Sequence, residues 1–428
     1  MSFRSVLHRL LGLSKTVVEG ADFDPRSGAL VVSVRPVKRA AGRCPRCGRK
    51  ARGYDAGRGR RRWRGLDFGS TVVVLEADAP RVECPSHGVL VAAVPWARPG
   101  SWFTRDFERQ VAWLTLHACR SVVAELARVD WKTVGGIIAR VQRDQAASEP
   151  SPFDGLVNIG IDETSHAKGQ KYMTVVVDHD RNKVVWVAKG HGKQVLEGFF
   201  ALLDDAQKAS IRCVTADGAR WIAECVERHC PQAVRALDPF HTVSWATDAL
   251  DEVRRQAWRD ARRAPRTRRG PGRPAKGVVV AARPGAAMRD ARYALLKNPE
   301  DLTDTQRARL ELVAAENPAP RRAYRLKETL RLLLKLPAEE AEAELRAWLG
   351  WAQRCRIPVF VELGRKIKRH FQAILDTIRL GLTNTRIEAT NNKIKLTIRM
   401  GYGFRNIDNL IALVMLKCGG LGLALPGR

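Results

Sequence analysis

LVNIGID (156–162) is a short apolar run that ends on a carboxylate, and its length suits a buried β-strand. Two further runs of the same kind follow at once, KYMTVVVD (171–178) and KVVWVAK (183–189). Then come an amphipathic stretch at 194–203, the run IRCVTAD (211–217), a helical stretch at 219–229 and the run AVRALD (233–238). The order is three strands, a helix, a strand, a helix and a strand, which predicts an open α/β sheet flanked by helices. Beyond Asp238 the pattern turns helical and charged, with an Arg/Pro/Gly-rich linker at 262–285.

That succession is the element order of an RNase H-like core, and it positions carboxylates. Asp162 ends the first strand and Asp217 the fourth. Side chains at the carboxyl ends of adjacent strands converge on one crevice of an open sheet. Two carboxylates there repel unless a cation lies between them. Mg²⁺, or Mn²⁺, is the natural partner, being a hard ion that takes oxygen ligands and bridges to phosphate. A third carboxylate would complete a site for displacement at phosphorus. The candidate is Glu388 in TNTRIEATNNKIK (383–395), the one acid between Asp376 and Asp408. Arg379, Arg386, Lys393, Lys395, Arg399 and Arg405 surround it. On a helix, Glu388, Asn391, Asn392 and Lys395 would share a face, one metal ligand among phosphate-binding amides and a cation. Asp238 competes with Asp217, and is less favoured because the fifth strand lies further out. Asp376 and Asp408 compete with Glu388. Glu163 points to the other side of its strand and reads as structural, and His241 as a packing or supporting residue.

The charge balance agrees with an anionic partner. The chain has 428 residues, with 74 Lys+Arg against 45 Asp+Glu, a net charge of +29. An excess that large raises the expectation of nucleic acid or an anionic surface. No apolar run is long enough to span a bilayer, and no secretory signal is evident. Scattered cysteines in patterned segments suit a reducing cytoplasm. No GxxxxGK[ST] or GxGxxG loop occurs, so no nucleotide cofactor is expected.

Cys44-Pro-Arg-Cys47 and Cys84-Pro-Ser-His87 form a CxxC followed by a CxxH, the spacing of two knuckles closing on one structural Zn²⁺. Between them Arg60, Arg61, Arg62 and Trp63 mix cations with an aromatic ring, a pattern for phosphate and groove contacts. A charge run is more often only a solvated face. Residues 104–142 read as three helices. Residues 121–127 would support and Asp130 would cap a recognition helix at 131–141, whose Lys132 and Thr133 would meet the major groove. An ordinary helical hairpin reads equally well from that segment alone. Arg273 in Gly272-Arg-Pro274 suggests a minor-groove tripeptide, against the plainer reading of a flexible linker.

Taken together, CPRC…CPSH, GIDETSHAKGQKYMTVVVD (160–178), DPFHTVSWATDALDEVRR (238–255) and TRIEATNNKIKLTIRMGYGFRN (385–406) resemble the ISL-three family of bacterial insertion-sequence transposases, of the DDE type. The resemblance covers nearly the whole chain. It implies an RNase H-like domain interrupted by a helical insertion, with Asp162, Asp217 and Glu388 as the catalytic triad on Mg²⁺. It implies nicking at the ends of the element, followed by attack of the freed 3′-hydroxyl on target DNA. Double-stranded DNA would be held by the basic residues already named together with Arg386, Asn392, Lys395 and Arg399. Two ends must be joined, so a homodimer or larger assembly on DNA, at the nucleoid in the cytoplasm, is expected. The expected domains are 1–98 (β module with zinc finger), 99–150 (helix-turn-helix), 151–244 (first part of the core), 245–375 (helical insertion with the 262–285 linker) and 376–428 (remainder of the core). Two rivals are a non-catalytic DNA-binding regulator and an RNase H-like nuclease or resolvase without strand transfer.

Overall fold

A computed structural model describes residues 3–263, 286–381 and 385–427. The chain divides into two compact units, one of residues 1–152, 166–169 and 392–428, the other of 153–165 and 170–391.

The first unit opens with α1 (Phe3–Leu10) and the strands β1 (Thr16–Phe23), β2 (Leu30–Pro36), β3 (Arg52–Asp55), β4 (Arg60–Arg64), β5 (Val73–Asp78), β6 (Arg81–Cys84) and β7 (Gly88–Val91). They form a four-stranded sheet ordered β1-β2-β5-β4 and a three-stranded sheet ordered β3-β6-β7. Alternate residues of β2 and β5 are buried, and Val32, Val34, Val73 and Leu75 form the core with Trp63 and Trp96. Then follow α2 (Arg105–His117), α3 (Arg120–Ala127) and α4 (Trp131–Ala146), a helix-turn-helix with one helix before it. Glu108 of α2 is fully buried yet fully satisfied. It accepts from Arg98 (3.0 Å) and Ser101 Oγ (2.7 Å) and pairs with Arg140 (2.6 Å), tying α2, α4 and the preceding loop together. Removing one partner would leave a buried charge uncompensated, at a cost of about 3–5 kcal/mol.

In the second unit β8 (Asn158–Ala167), β9 (Lys171–Asp178) and β10 (Lys183–Lys189) precede α5 (Lys193–Phe200) and α6 (Asp205–Ser210). Next come β11 (Cys213–Ala216), α7 (Arg220–His229), β12 (Val234–Leu237) and α8 (Pro239–Arg263). The five-stranded sheet is ordered β10-β9-β8-β11-β12, with β10 antiparallel to β9 and with β8, β11 and β12 parallel. The fourth strand of this sheet in chain order therefore abuts the first, and the fifth lies outside it, as expected from the sequence. The short helix α6 was not foreseen. Its capping box, Asp204 with Gln207, is the signal that marks it.

The helices α9 (Ala286–Asp290), α10 (Arg292–Leu296), α11 (Asp304–Glu316), α12 (Pro318–Leu333), α13 (Ala338–Arg354), α14 (Pro358–Arg369) and α15 (Phe371–Leu380) pack with α8 around one apolar cluster that includes Leu326, Trp348 and Phe360. Thr377 of α15 donates to the Leu237 carbonyl of β12 at 2.7 Å, fixing this helical body to the outer strand of the sheet. Last come α16 (Thr385–Met400) and α17 (Ile407–Cys418).

Within the expected final segment, 376–428, the last helix packs with the helix-turn-helix. Ala412, Leu413 and Leu416 of α17 are buried with Val134, Ile137, Ile138 and Val141 of α4. A Cβ on Gly135 would lie 2.4 Å from the Asn409 amide, so the Asn409 side chain of α17 rests against the bare backbone of α4. The buried face of α17 belongs to the first unit.

A second close approach holds the start of α16. A Cβ on Gly160, in the middle of β8, would lie 2.0 Å from Ile387 Cδ1 and 2.7 Å from His179 Nε2. Gly160→Val should therefore force Ile387 off the strand and destabilise the second unit by about 1–3 kcal/mol. Chemical denaturation would register this, and an unchanged midpoint would show that α16 does not pack there in solution.

Candidate functional site

The four predicted finger ligands converge. Cys44 and Cys47 flank a turn closed by Gly48, and Cys84 ends β6 just before the turn that carries His87. Their ligand atoms all lie within 4.8 Å of one another, with Cys44 Sγ 3.6 Å and Cys84 Sγ 3.4 Å from His87 Nδ1, and Cys47 Sγ 3.8 Å from Cys84 Sγ. Tetrahedral Zn–S bonds of about 2.3 Å imply sulfur separations near ~3.8 Å, so the donor set fits Zn²⁺. The Cys44 thiol is drawn down to about 6, first by the Cys47 backbone N–H, which favours the thiolate that zinc requires. Among the described residues this is the one close group of three or more metal-ligating side chains.

The basic run beside the finger is mostly committed to the protein itself. Trp63 is 2% exposed and packs edge-on against Trp96, so it does not face DNA. Arg61 lies over the Trp102 ring, 4.2 Å from its centre, and donates to the Ser101 carbonyl at 2.7 Å. Arg60 and Arg62 are exposed but share Glu76, and Arg62 also reaches Asp24. The physical reason is register: β4 pairs with β5, which brings Arg60 and Arg62 alongside acids and turns Trp63 inward.

The helix-turn-helix is capped as expected. Asp130 accepts from the Lys132 N–H at 2.7 Å, and Arg128 makes the turn at φ 54°. Lys132 is exposed at the start of α4 and Thr133 half-buried. Arg273 lies outside the described residues, as does the side chain of Arg386. Asn392, Lys395 and Arg399 are exposed along α16.

Asp162 and Asp217 stand on neighbouring parallel strands, Asp162 in β8 and Asp217 just past the end of β11. Asp162 accepts from the Glu163 N–H at 2.7 Å and from Asn391 Nδ2 of α16 at 2.6 Å. Burial is the main push raising its carboxyl above the ordinary range. The Asp217 charge adds to this push, while the Glu163 N–H, His241 and Asn391 oppose it. Asp217 accepts from the Ala219 N–H at 3.0 Å, opening α7. The rival Asp238 is 5% exposed and accepts from the Phe240 N–H at 3.0 Å, opening α8. Glu163 accepts from the Gly192 N–H at 3.1 Å, and its carboxyl is raised chiefly by burial.

Glu388 lies in the first turn of α16, half-buried, between two anchors of that helix: Ile387 on Gly160 and Asn391 on Asp162. Asp376 is tied to Gln372 and Arg379 on α15, and its charge reaches Cys213 at the far end of β11 from Asp217. Asp408 sits in the first turn of α17, in the first unit. The expected face is split. Asn391 is 7% exposed and turned inward, whereas Asn392 and Lys395 face outward. The signal for this was present in the sequence, since Asn391 falls one turn after the apolar Ile387. Asn391 Oδ1 is buried with no hydrogen-bond partner. A carboxyl raised by burial and a like charge, beside an orphaned amide oxygen, is an oxygen donor set suited to a hard cation.

Residues 159–414 match the sequence profile of the ISL3 transposase domain, described as a transposase. The chain belongs to transposase family ISL3. Residues 40–87 match the zinc-finger of transposase IS204/IS1001/IS1096/IS1165, and residues 92–142 the helix-turn-helix domain of transposase family ISL3. The chain is 49% identical, over 98% of its length and 96% of theirs, to the "Transposase for insertion sequence element IS1557" of two Mycobacterium tuberculosis strains. It is 25% identical, over 85% of each chain, to the "Transposase for insertion sequence element IS1001" of Bordetella parapertussis. This ISL3 member is thus a DNA-processing enzyme with a DNA-binding zinc ribbon and helix-turn-helix. Among the described residues no helix is long and apolar enough to cross a membrane.

Cys44→Ser should lose the zinc and loosen the three-stranded sheet; metal analysis of the purified protein that still showed one zinc per chain would refute the assignment. Lys132→Ala should weaken DNA binding and reduce the salt slope by about one. Trp63→Ala should instead cost about 3–5 kcal/mol of stability. If Trp63→Ala stayed fully stable but lost DNA binding, its place in the core would be wrong.

Proposed function

We propose that this transposase binds the terminal inverted repeats of its own element, nicks the 3′ ends by Mg²⁺-dependent hydrolysis and transfers them to target DNA. The observation that supports the reading is that Asp162 and Asp217 stand on neighbouring strands while the first turn of α16, which bears Glu388, lies against β8 through Ile387 on Gly160. The strand order, antiparallel on one side of β8 and parallel on the other, supports an RNase H-like core.

Asp162, Asp217 and Glu388 would hold Mg²⁺ or Mn²⁺. When bound, the ions supply Lewis-acid neutralisation of charge on the phosphoryl oxygens. In the first step water attacks phosphorus and the P–O3′ bond breaks, leaving a 3′-hydroxyl on the element and a 5′-phosphate on the flank. In the second step that hydroxyl attacks a target phosphorus, forms a new P–O bond and releases a target 3′-hydroxyl. Neither step needs a nucleotide. Asn391 holds Asp162 in one orientation, and His241 sits where its charge favours ionised Asp162. The exposed Lys395 and Arg399, further along α16, are placed to meet DNA backbone, together with Lys132 of α4. Two ends must be brought together, so the working form is a dimer or larger assembly on DNA, at the nucleoid.

Asp162→Asn, Asp217→Asn and Glu388→Gln should each reduce cleavage of end DNA by a factor on the order of 10³ or more while gel-shift binding to the ends is unchanged. Full cleavage by all three would sink the carboxylate triad, and an unaltered protein that binds the ends without cleaving them would be a non-catalytic DNA-binding protein. Cleavage of branched DNA without joined products would point to a nuclease. Loss with Asp238→Asn but not with Asp217→Asn would move the second carboxylate to β12.

A further inference from the structure

The helical body turns a corner at His370, between α14 and α15, beside the strand end that carries Asp217. A Cβ on Gly218 would lie 2.7 Å from Trp245 Cη2 and 3.4 Å from His370 Nε2, so both rings rest against the backbone next to Asp217. The two rings are 5.5 Å apart. Lys366 Nζ sits 3.5 Å from the centre of the Trp245 ring. His370 Nδ1 is buried and has no hydrogen-bond partner.

The charges at this corner are unbalanced. Burial holds the His370 imidazole below its ordinary value, and Arg235, Lys366 and Arg369 press it further in the same direction. Burial does the same to Lys366, followed by Arg369, with Asp217 and Asp248 opposing. Among the described residues, none of Arg235, Lys366 and Arg369 takes part in a salt bridge. Cations in the last turn of a helix complement its dipole, and that accounts for the exposed Lys368 and Arg369 of α14. It does not account for Lys366 lying on a tryptophan, for an orphaned imidazole nitrogen, or for Arg235 arriving from β12. Asp217 and Asp248 act on Lys366 from a distance, and Glu227 on Arg235, but none of them pairs with these cations in a salt bridge. Cations so placed, beside an unpartnered ring nitrogen, are what an anion would satisfy.

We propose that Lys366, His370, Arg369 and Arg235 form an anion site that holds one DNA backbone phosphate beside Asp217, with Trp245 as the platform that fixes Lys366. The proposal rests on the carboxylate reading above. It makes the helical body part of the substrate-binding surface, and these four are positioning residues. Lys366 reaches the phosphate as a point charge, and His370 supplies a directed N–H. Trp245 keeps the long lysine chain from sampling other rotamers.

The test uses the full-length protein and two duplexes: the terminal repeat continued through the cleavage junction, and the repeat ending short of it. Lys366→Gln and His370→Gln should each weaken binding to the junction duplex about fivefold to tenfold and reduce its salt slope by about one. Binding to the shorter duplex should be unchanged, and Lys366→Arg should bind the junction duplex as the unaltered protein does. Equal affinity and equal slope on the junction duplex for both Gln variants would overturn the site. An equal loss on both duplexes would do so too, because it would indicate unfolding or dispersed charge. Cleavage by Asp217→Asn, run alongside, separates the two readings. If Asp217→Asn is inactive and the Gln variants bind normally, the anion site alone has failed. If Asp217→Asn cleaves normally, the carboxylate reading has failed.

Discussion

The candidate catalytic centre depends on one close approach, Ile387 lying on the bare backbone of Gly160. Any side chain on that strand residue would have to displace Ile387 or His179. With glycine there, the helix comes close enough for Asn391 to donate to Asp162 from 229 residues away in sequence. A glycine inside a strand weakens it and usually marks such an approach. The contact fixes the first turn of α16, and with it the position of Glu388. It also leaves Asn391 Oδ1 buried without a partner, an arrangement that costs about 1–3 kcal/mol in a static protein. A cation at the carboxylates would recover that cost, so the same contact that builds the site also prepares it for its ligand.

Most of the second unit's sheet was legible in the sequence because its strands are nearly continuous β-branched runs, four of which close on a carboxylate, Asp162, Asp178, Asp217 and Asp238; the expectation that Asp162 ends its strand is corrected, because β8 continues to Ala167. Position along a strand decides which chain ends meet, so Asp162 and Asp217 could be paired from pattern alone. The finger was legible for a similar reason: CxxC and CxxH spacing is itself a geometric statement. What failed was the reading of surfaces. Trp63 looked like an aromatic among cations, but β4 is a sheet strand, and the period of two turned it into the core. The Arg residues beside it are drawn to Glu76 and Asp24, acids that lie elsewhere in the sequence and whose proximity only the register reveals. Asn391 differs in the opposite direction, an amide read as phosphate-binding on the face of Glu388 that instead donates to Asp162.

The end of the chain shows a limit of another kind. Apolar periodicity identifies α17 as a packed helix but not which core receives it. Gly135 answers that question through its neighbour Asn409, and a glycine inside a predicted recognition helix was the available hint. Sequence continuity with Glu388 suggested the five-stranded sheet, whereas α17 packs against α4.

The electrostatics of the second unit make a single argument. On one side of the site burial and a like charge raise the Asp162 carboxyl; on the other, burial and neighbouring cations lower Lys366 and His370. Each group is held in surroundings that disfavour its charged form, and Asp217 lies between the two sets, its charge opposing ionisation of Asp162 and favouring that of Lys366 and His370. Folded proteins normally relieve such tensions by pairing the charges, as Glu108 does with Arg98 and Arg140. Here they are kept apart. A divalent cation would relieve the acids and a phosphate would relieve the bases. DNA bound together with metal ions would supply both at once.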